Sequence, residues 1–298
     1  GAVRARLARD AGRRDAVERS STNDMRTLSD REFTLFQRFI FEAAGIMLAL
    51  AKKPMVRGRL AKRVQAHRCD SFGDYSDLLQ NGRNPVEAQV AVDLLTTNET
   101  YFFREAGHFV LLRELLDARQ RANRDRASAL FRVWSAASSS GEEAYSIAMV
   151  LADLLPGEAW NLVGSDISMR MLERARRGIY ADERASHIPL EYRRRFCLKG
   201  TDKYTGSMMV DRALRERIEF MQINLNQPLP AALGRFDVVF LRNVMIYFSE
   251  DTKREVVARI LWQMKQGGYL LVGHSESLHG LTDAVETVAP SIYRKKRQ

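Results

Sequence analysis

The chain has 298 residues, 45% of them hydrophobic and 28% charged, with a formal net charge of +10 at pH 7. That length buries a substantial core in one large domain or two smaller ones. No run approaches the ~18 apolar residues of a membrane span, no charged-then-apolar export segment opens the sequence, and the two cysteines, Cys69 and Cys197, match no metal or redox spacing. A cytoplasmic protein with free thiols is expected, and the positive balance favours an anionic partner without saying which kind.

Residues 1–27 carry seven arginines against four acids and no apolar period, and read as a flexible basic arm or an expression remnant. From 28 to 95 the pattern is helical. Ser29-Asp30-Arg31-Glu32 fits a capping box, and Phe33, Phe36, Ile40 and Ala43 follow at helical spacing. Pro54 sits where a helix favours its first residue, with 55–67 continuing it, while Ser71 and Asn84-Pro85 open two shorter helices. Residues 28–95 therefore read as an all-helical domain, and 96–130 as a linker and connecting helix that is charged from 119 to 126.

Beyond the linker, strands and helices alternate. Strands are expected at 131–135, 161–165, 218–223, 236–241 and 269–273, and helices at 142–155, 168–177 and 251–265. Such alternation implies a mostly parallel sheet with helices on both faces, a doubly wound α/β domain spanning 131–298. Residues 178–217 break the rhythm and exceed an ordinary connection. Because "KGTDKYTGSMMV" within them resembles a hairpin, they read as a small inserted β subdomain. Arg294 to Arg297 ends the chain with four further positive charges.

In a doubly wound fold the ligand lies across the carboxyl ends of the strands, and three expected strand ends carry suitable polar residues. The first is the small-residue turn 135–141, followed at once by Glu142 and Glu143. The second is Asp166 in "VGSDIS", where an acid commonly takes ribose hydroxyls. The third is Asn224-Leu225 in "INLN", placed for an adenine edge and face. Taken singly, acids in a first helical turn suit the macrodipole, and an Asp after a strand suits a cap. Together they describe an adenosine site with acid at its mouth, which repels phosphate. S-adenosylmethionine fits, having an adenosine, no phosphate, and sulfonium and ammonium charges. NAD is disfavoured because the turn lacks G-x-G-x-x-G, and ATP because no phosphate loop with G-K-[ST] occurs.

Four ordered stretches then carry a resemblance: "LTTNETYFFRE", "SAASSSGEEAYSIA", "FLRNVMIYF" and "GGYLLVGHSESL". Together they resemble the chemotaxis receptor methyltransferases, the CheR family, from about residue 28 to the C-terminus. The resemblance implies a Rossmann-like methyltransferase sheet behind a helical domain. It also implies methyl transfer from S-adenosylmethionine to glutamate side chains of methyl-accepting chemotaxis receptors, leaving S-adenosylhomocysteine. By the matching motifs, Asn98, Thr100 and Arg104 contact the cofactor, as do Asp166, Asn224, Leu225, Arg242 and Asn243. One of Glu142 and Glu143 faces the methionine end, and the doublet leaves open which. Ala144 stands where the family frequently has proline. In some members the inserted subdomain grips a tethering peptide at the receptor's C-terminus.

A glutamate has an ordinary pKa of about 4.3, so the acceptor is ionised near pH 7 and requires no general base. Arg104 can orient a carboxylate through paired hydrogen bonds and Tyr247 can add a hydroxyl donor, the two expected catalytic side chains. Residues 52–68 hold seven basic residues and no acid, ordinarily the mark of a solvated face; with the receptor substrate that the resemblance implies, whose helices present glutamates, Arg59, Lys62 and Arg63 read instead as a docking face. The five histidines show no ligand spacing, and no metal is assigned. A nucleic-acid methyltransferase is the charge-driven alternative, weakened by the absence of a Pro-Cys nucleophile or Asn-Pro-Pro-Tyr motif. A non-catalytic receptor-binding adaptor is the other. The expectation is a monomer without nucleic-acid partners or membrane insertion.

Overall fold

The computed structural model describes residues 27–122, 129–157 and 159–297, so the basic arm lies outside the described residues apart from Thr27. The chain divides into two compact units, Gly1–Leu95 and Thr96–Gln298.

The first unit is helical: α1 (Asp30–Ala44), α2 (Lys53–Ala66), α3 (Phe72–Gln80) and α4 (Pro85–Leu95). The Ser29 side chain accepts from the Glu32 N–H, and the Glu32 carboxylate receives the Ser29 N–H, closing the capping box. Glu32 also accepts the Gly73 N–H at 3.0 Å and so ties α3 to the start of α1. Phe33, Phe36, Ile40, Leu60, Phe72 and Tyr75 form the buried apolar centre. One carboxylate is buried with them. Glu87 accepts Tyr75 Oη at 2.6 Å and Arg63 Nε at 2.8 Å, and lies 2.9 Å from His67 Nε2. Burial opposes its charge, but the bonds from Arg63, Tyr75 and His67 together outweigh it and hold the carboxyl at about 2.

The second unit opens with α5 (Gly107–Ala122) and β1 (Phe131–Ser135), then α6 (Glu142–Leu154), β2 (Trp160–Asp166) and α7 (Met169–Arg177). The insertion follows as β3 (Ile179–Ala181), α8 (Asp182–Ala185), α9 (Leu190–Phe196), β4 (Cys197–Lys199), β5 (Ser207–Val210) and α10 (Arg212–Arg215). The chain then completes the main sheet with β6 (Ile218–Gln222), β7 (Phe236–Leu241), α11 (Glu250–Trp262), β8 (Met264–Val272), β9 (Val285–Ala289) and β10 (Ile292–Lys295). Seven strands form the sheet in the order β6-β2-β1-β7-β8-β10-β9. The first five run parallel, β10 is antiparallel to β8, and β9 is antiparallel to β10. The insertion is a separate antiparallel sheet, β3-β5-β4, with β3 and β4 as outer strands. Its hairpin needs Gly200, where a Cβ would stand 2.0 Å from the Tyr204 carbonyl oxygen.

Two expectations at the C-terminal end require correction. The helix expected at 251–265 stops at Trp262, and β8 starts at Met264 rather than at 269. Lys265-Gln266-Gly267-Gly268 reads as a polar helix end and a turn. In the structure Met264 is buried, and Lys265 Nζ pairs with Asp237 Oδ2 at 2.7 Å across to β7. The charged tail is likewise a strand. Ile292 and Tyr293 are buried, and Lys295 Nζ donates to the carbonyls of Leu261 and Met264 at 2.7 and 3.0 Å.

Candidate active site

Strand order reverses at β1, because the chain moves from β1 out to β2 and β6 before returning to β7 on the other flank. The crevice at the carboxyl ends of β1 and β7 is therefore the ligand position this topology dictates. The turn 135–141 is stitched to both flanks. Ala136 N–H donates to the Phe240 carbonyl at 2.9 Å, Ser138 N–H donates to the Ser165 carbonyl at 2.8 Å, and Trp134 Nε1 donates to Ser165 Oγ at 2.9 Å. Gly141, the turn's one glycine, has φ 98°, and a Cβ there would stand 2.8 Å from Ala175 Cβ and 3.0 Å from Tyr180 Oη. Its smallness serves packing against α7 and β3, so the glycine is explained without a phosphate approaching the backbone.

The two acids of α6 diverge, as successive helical residues must. Glu143 turns to the strand ends: its Oε1 accepts Ser135 Oγ at 2.7 Å, and its Oε2 lies 3.3 Å from Arg242 Nε. Burial pushes this carboxyl up, opposed by the Arg242 charge and the Ser135 hydroxyl. Glu142 is fully buried and turns to the insertion, accepting Ser140 Oγ at 2.6 Å and pairing with Arg184 of α8. Glu143 thus faces the strand ends and Arg242, while Glu142 faces Ser140 and, in the inserted subdomain, Arg184.

Asp166 ends β2, and its carboxylate accepts the N–H groups of Ser139 at 2.8 Å and Ser168 at 2.9 Å. It closes the β1 turn and supports the α7 cap while standing at the strand end. After β6, Asn224 Oδ1 accepts the Asn226 N–H at 3.0 Å, and Leu225 is buried with its carbonyl held by Arg259 Nη1 at 3.0 Å. The segment 98–104 lies along the turn and α6. The Asn98 carbonyl accepts Ser139 Oγ at 3.2 Å, the Thr100 carbonyl meets Arg184 Nη1 at 3.5 Å, and the Phe103 N–H donates to Ser146 Oγ at 3.0 Å. Arg104 donates to the Glu99 carbonyl at 3.0 Å and stands 5.6 Å from the Tyr101 ring centre. Tyr247 belongs to the short turn Met245–Tyr247 after β7. Burial pushes its hydroxyl up, and Thr97 and the Arg104 charge work against that rise, so the phenol is protonated at neutral pH. Arg242 is buried, with Nη2 donating to the Arg104 carbonyl at 2.6 Å.

Two acids beside these residues escape a sequence reading. Glu105 approaches Arg242 Nε at 3.7 Å, and Glu276 accepts the N–H groups of Asn243 and Val244 at 2.8 and 3.0 Å. Their signal was their place inside the quoted motifs "FFRE" and "GHSESL", with nothing in their spacing to assign a role. Four of the seven non-glycine residues with positive φ among the described residues surround this crevice: Phe103 (55°), Glu105 (59°), Ser139 (48°) and Asn243 (56°). Each costs of order 1–3 kcal/mol, and such strain collects where side chains must be aimed.

The histidines also differ from their linear spacing. Ligand atoms of Glu105, His108 and His274 lie within 4.8 Å of one another. Arg242 already supplies the positive charge beside Glu105, which disfavours a second cation there. Burial, then the Arg242 charge, push His108 down to about 4, so its ring is neutral near pH 7.

Residues 98–293 match the family "CheR methyltransferase, SAM binding domain", and residues 31–96 match "CheR methyltransferase, all-alpha domain". The chemotaxis protein methyltransferase of Escherichia coli (strain K12) is 40% identical over 257 residues, covering 85% of this chain and 87% of its own. That of Salmonella typhimurium is 39% identical over 269 residues, covering 89% and 90%. Chemotaxis protein methyltransferase 2 of Pseudomonas aeruginosa is 38% identical over 264 residues, covering 88% and 92%. With both domains matched in order over most of its length, the chain belongs to the CheR family of S-adenosylmethionine-dependent methyltransferases.

Proposed function

We propose that this enzyme methylates glutamate side chains of methyl-accepting chemotaxis receptors, acting in the cytoplasm as a monomer. The observation that carries the reading is the crevice at the β1–β7 switch point. Glu143 and Asp166 supply acid there, and the Arg104 charge acts on both Glu143 and Tyr247. The residues fit the cofactor. Acid at the mouth suits a sulfonium and an ammonium, the turn lacks phosphate-loop glycines, and the buried Ser138 Oγ and Arg242 Nη1 have no hydrogen-bond partner of their own. When bound, S-adenosylmethionine supplies an electrophilic methyl group to an acceptor that is already ionised. The protein's part is to orient that carboxylate and exclude water, with Arg104 gripping it and Tyr247 donating a hydrogen bond. Asn98, Thr100, Glu143, Asp166, Asn224, Leu225, Arg242 and Asn243 hold the cofactor in this reading.

A nucleic-acid substrate loses part of its motive, because Arg294 and Lys295 lie in β10 and Lys295 is occupied by backbone carbonyls. No described helix is long and apolar enough to cross a membrane. Transfer of labelled methyl groups to receptor-containing membranes, released by alkali as esters, tests the function directly; label entering DNA or RNA instead would refute it. The outer strands β3 and β4 suit β-addition of an extended receptor tail. Receptors with and without that tail, compared in the same assay, separate a tether from a purely structural insertion.

If Asp166 takes the ribose hydroxyls, Asp166→Ala weakens S-adenosylmethionine and S-adenosylhomocysteine alike. The expected loss is about 1.5–3 kcal/mol, as for hydrogen bonds to a charged group. Calorimetry finding unchanged affinity in the folded variant removes Asp166 from the site.

Arg59 and Lys62 are exposed on α2, Arg59 donating to the Leu94 carbonyl at 2.9 Å. Changing both to Ala should raise the receptor KM and flatten its salt dependence, while cofactor affinity stays constant, because exposed charges steer association over about 10 Å at 0.1 M salt. Unaltered kinetics across the salt range would mark this as a merely solvated face.

A further inference from the structure

Glu276 is a buried carboxylate with no ion pair among the described residues, although it sits beside the reaction site. Its oxygens are spent on backbone. Oε2 accepts the N–H groups of Gly273 at 2.7 Å and Asn243 at 2.8 Å, and Oε1 accepts those of Val244 at 3.0 Å and Ile246 at 3.3 Å. Three of these four donors belong to the turn that carries Asn243 and Tyr247 off the end of β7. That turn holds Asn243 at φ 56°, a conformation that persists only when its surroundings fix it. The preceding glycine keeps the space for this contact: a Cβ on Gly273 would stand 2.7 Å from Asn243 Oδ1 and 2.9 Å from Glu276 Oε2.

We propose that Glu276 is the positioning residue of the methyl-transfer site, clamping the turn after β7 so that Asn243 and Tyr247 face the reacting groups. The assignment rests on the reading above that Asn243 and Tyr247 serve the reaction. A carboxylate is required because it alone is acceptor-only on both oxygens. An amide of the same shape would present its NH₂ to two backbone N–H groups. Both oxygens of the acid are taken by backbone N–H groups, so it acts through the backbone it holds.

Two variants test this with the full-length enzyme: Glu276→Gln, which keeps the shape, and Glu276→Asp, which keeps the charge but draws the carboxylate back from the turn. Both should lower kcat about 10- to 100-fold with receptor KM changed less than about threefold, as expected when charge-assisted bonds that set geometry are lost. Combining Glu276→Gln with Tyr247→Phe or Asn243→Ala should give a double variant no slower than its slower parent, because each pair acts as one unit. A kcat within about threefold of wild type in folded Glu276→Gln overturns the assignment, as do multiplicative losses with both partners. If Glu276→Gln fails to fold, Glu276→Asp decides by the same split between kcat and KM. Tyr247→Phe at the wild-type rate would instead remove Tyr247 from the reaction, leaving Asn243→Ala to decide for Glu276.

Discussion

Arg242→Met should destabilise the second unit by about 3–5 kcal/mol near neutral pH, the cost of removing one partner from a buried ion cluster. The guanidinium is buried between two acids, 3.3 Å from Glu143 and 3.7 Å from Glu105. Methionine fills much of the volume and leaves both carboxylates without their cation. The pH dependence follows from the two acids. Burial already raises Glu143 above the ordinary 4.5, and losing Arg242 raises it further. A raised acid contributes stability below about 4.5 that is lost as pH climbs through its folded value. Burial works against the charge of Glu105 too, but the Arg242 charge and the His274 N–H outweigh it and hold that carboxyl below its ordinary value. Its contribution is present above 4.5, is lost on acidification, and depends on Arg242. Both effects make the variant's deficit largest at neutral pH and smallest in acid. All three tryptophans, Trp134, Trp160 and Trp262, lie in the second unit, so their fluorescence during denaturant unfolding at several pH values reports on it. A deficit constant from pH 4 to pH 7 would show that the cluster is not coupled as described.

The sheet was legible where chemistry is local. β1 and β7 are mostly apolar stretches, and the Ser29 capping box announces α1 in four letters. The C-terminal hairpin was not legible, because Arg294 and Lys295 stand in a run of four positive charges that shows no strand pattern until the partners β8 and β9 are known. The doublet Glu142-Glu143 could not be divided by sequence, since both residues satisfy the same helix-start preference. Only the positions of Ser135 and Arg242 on one side, and Arg184 on the other, separate them. Glu276 was illegible for the same kind of reason: three of its four partners are backbone groups 30 to 33 residues away, and backbone groups leave no compositional trace.

Arg63 shows how an apparent docking residue acquires another duty, and it sets the second large expected effect. The run from 52 to 68 contains no acid, so its basic side chains look unpaired in sequence. In the fold Glu87, on α4, pairs with Arg63 through both guanidinium nitrogens Nε and Nη2. Glu87→Gln should therefore destabilise the helical unit by about 3–4 kcal/mol, from a carboxyl held near 2 against an ordinary 4.5 at roughly 1.4 kcal/mol per unit. The carboxyl is depressed in the folded state, so its contribution is full above about 4.5 and disappears as pH falls through about 2. Wild type and variant should converge in acid and differ by a constant, full amount above about pH 5. Hydrogen exchange at the α2 and α3 amides measures the effect, with the β1 and β7 amides as an internal reference. Equal protection of α2 and α3 in the two proteins at pH 7 would show that Glu87 is not a stabilising hub. Arg63→Ala should weaken the same amides, because it removes Glu87's main cationic partner. Reduced receptor methylation in that variant then reports stability before docking, and Arg59 and Lys62 remain the positions at which a receptor contact can be read cleanly.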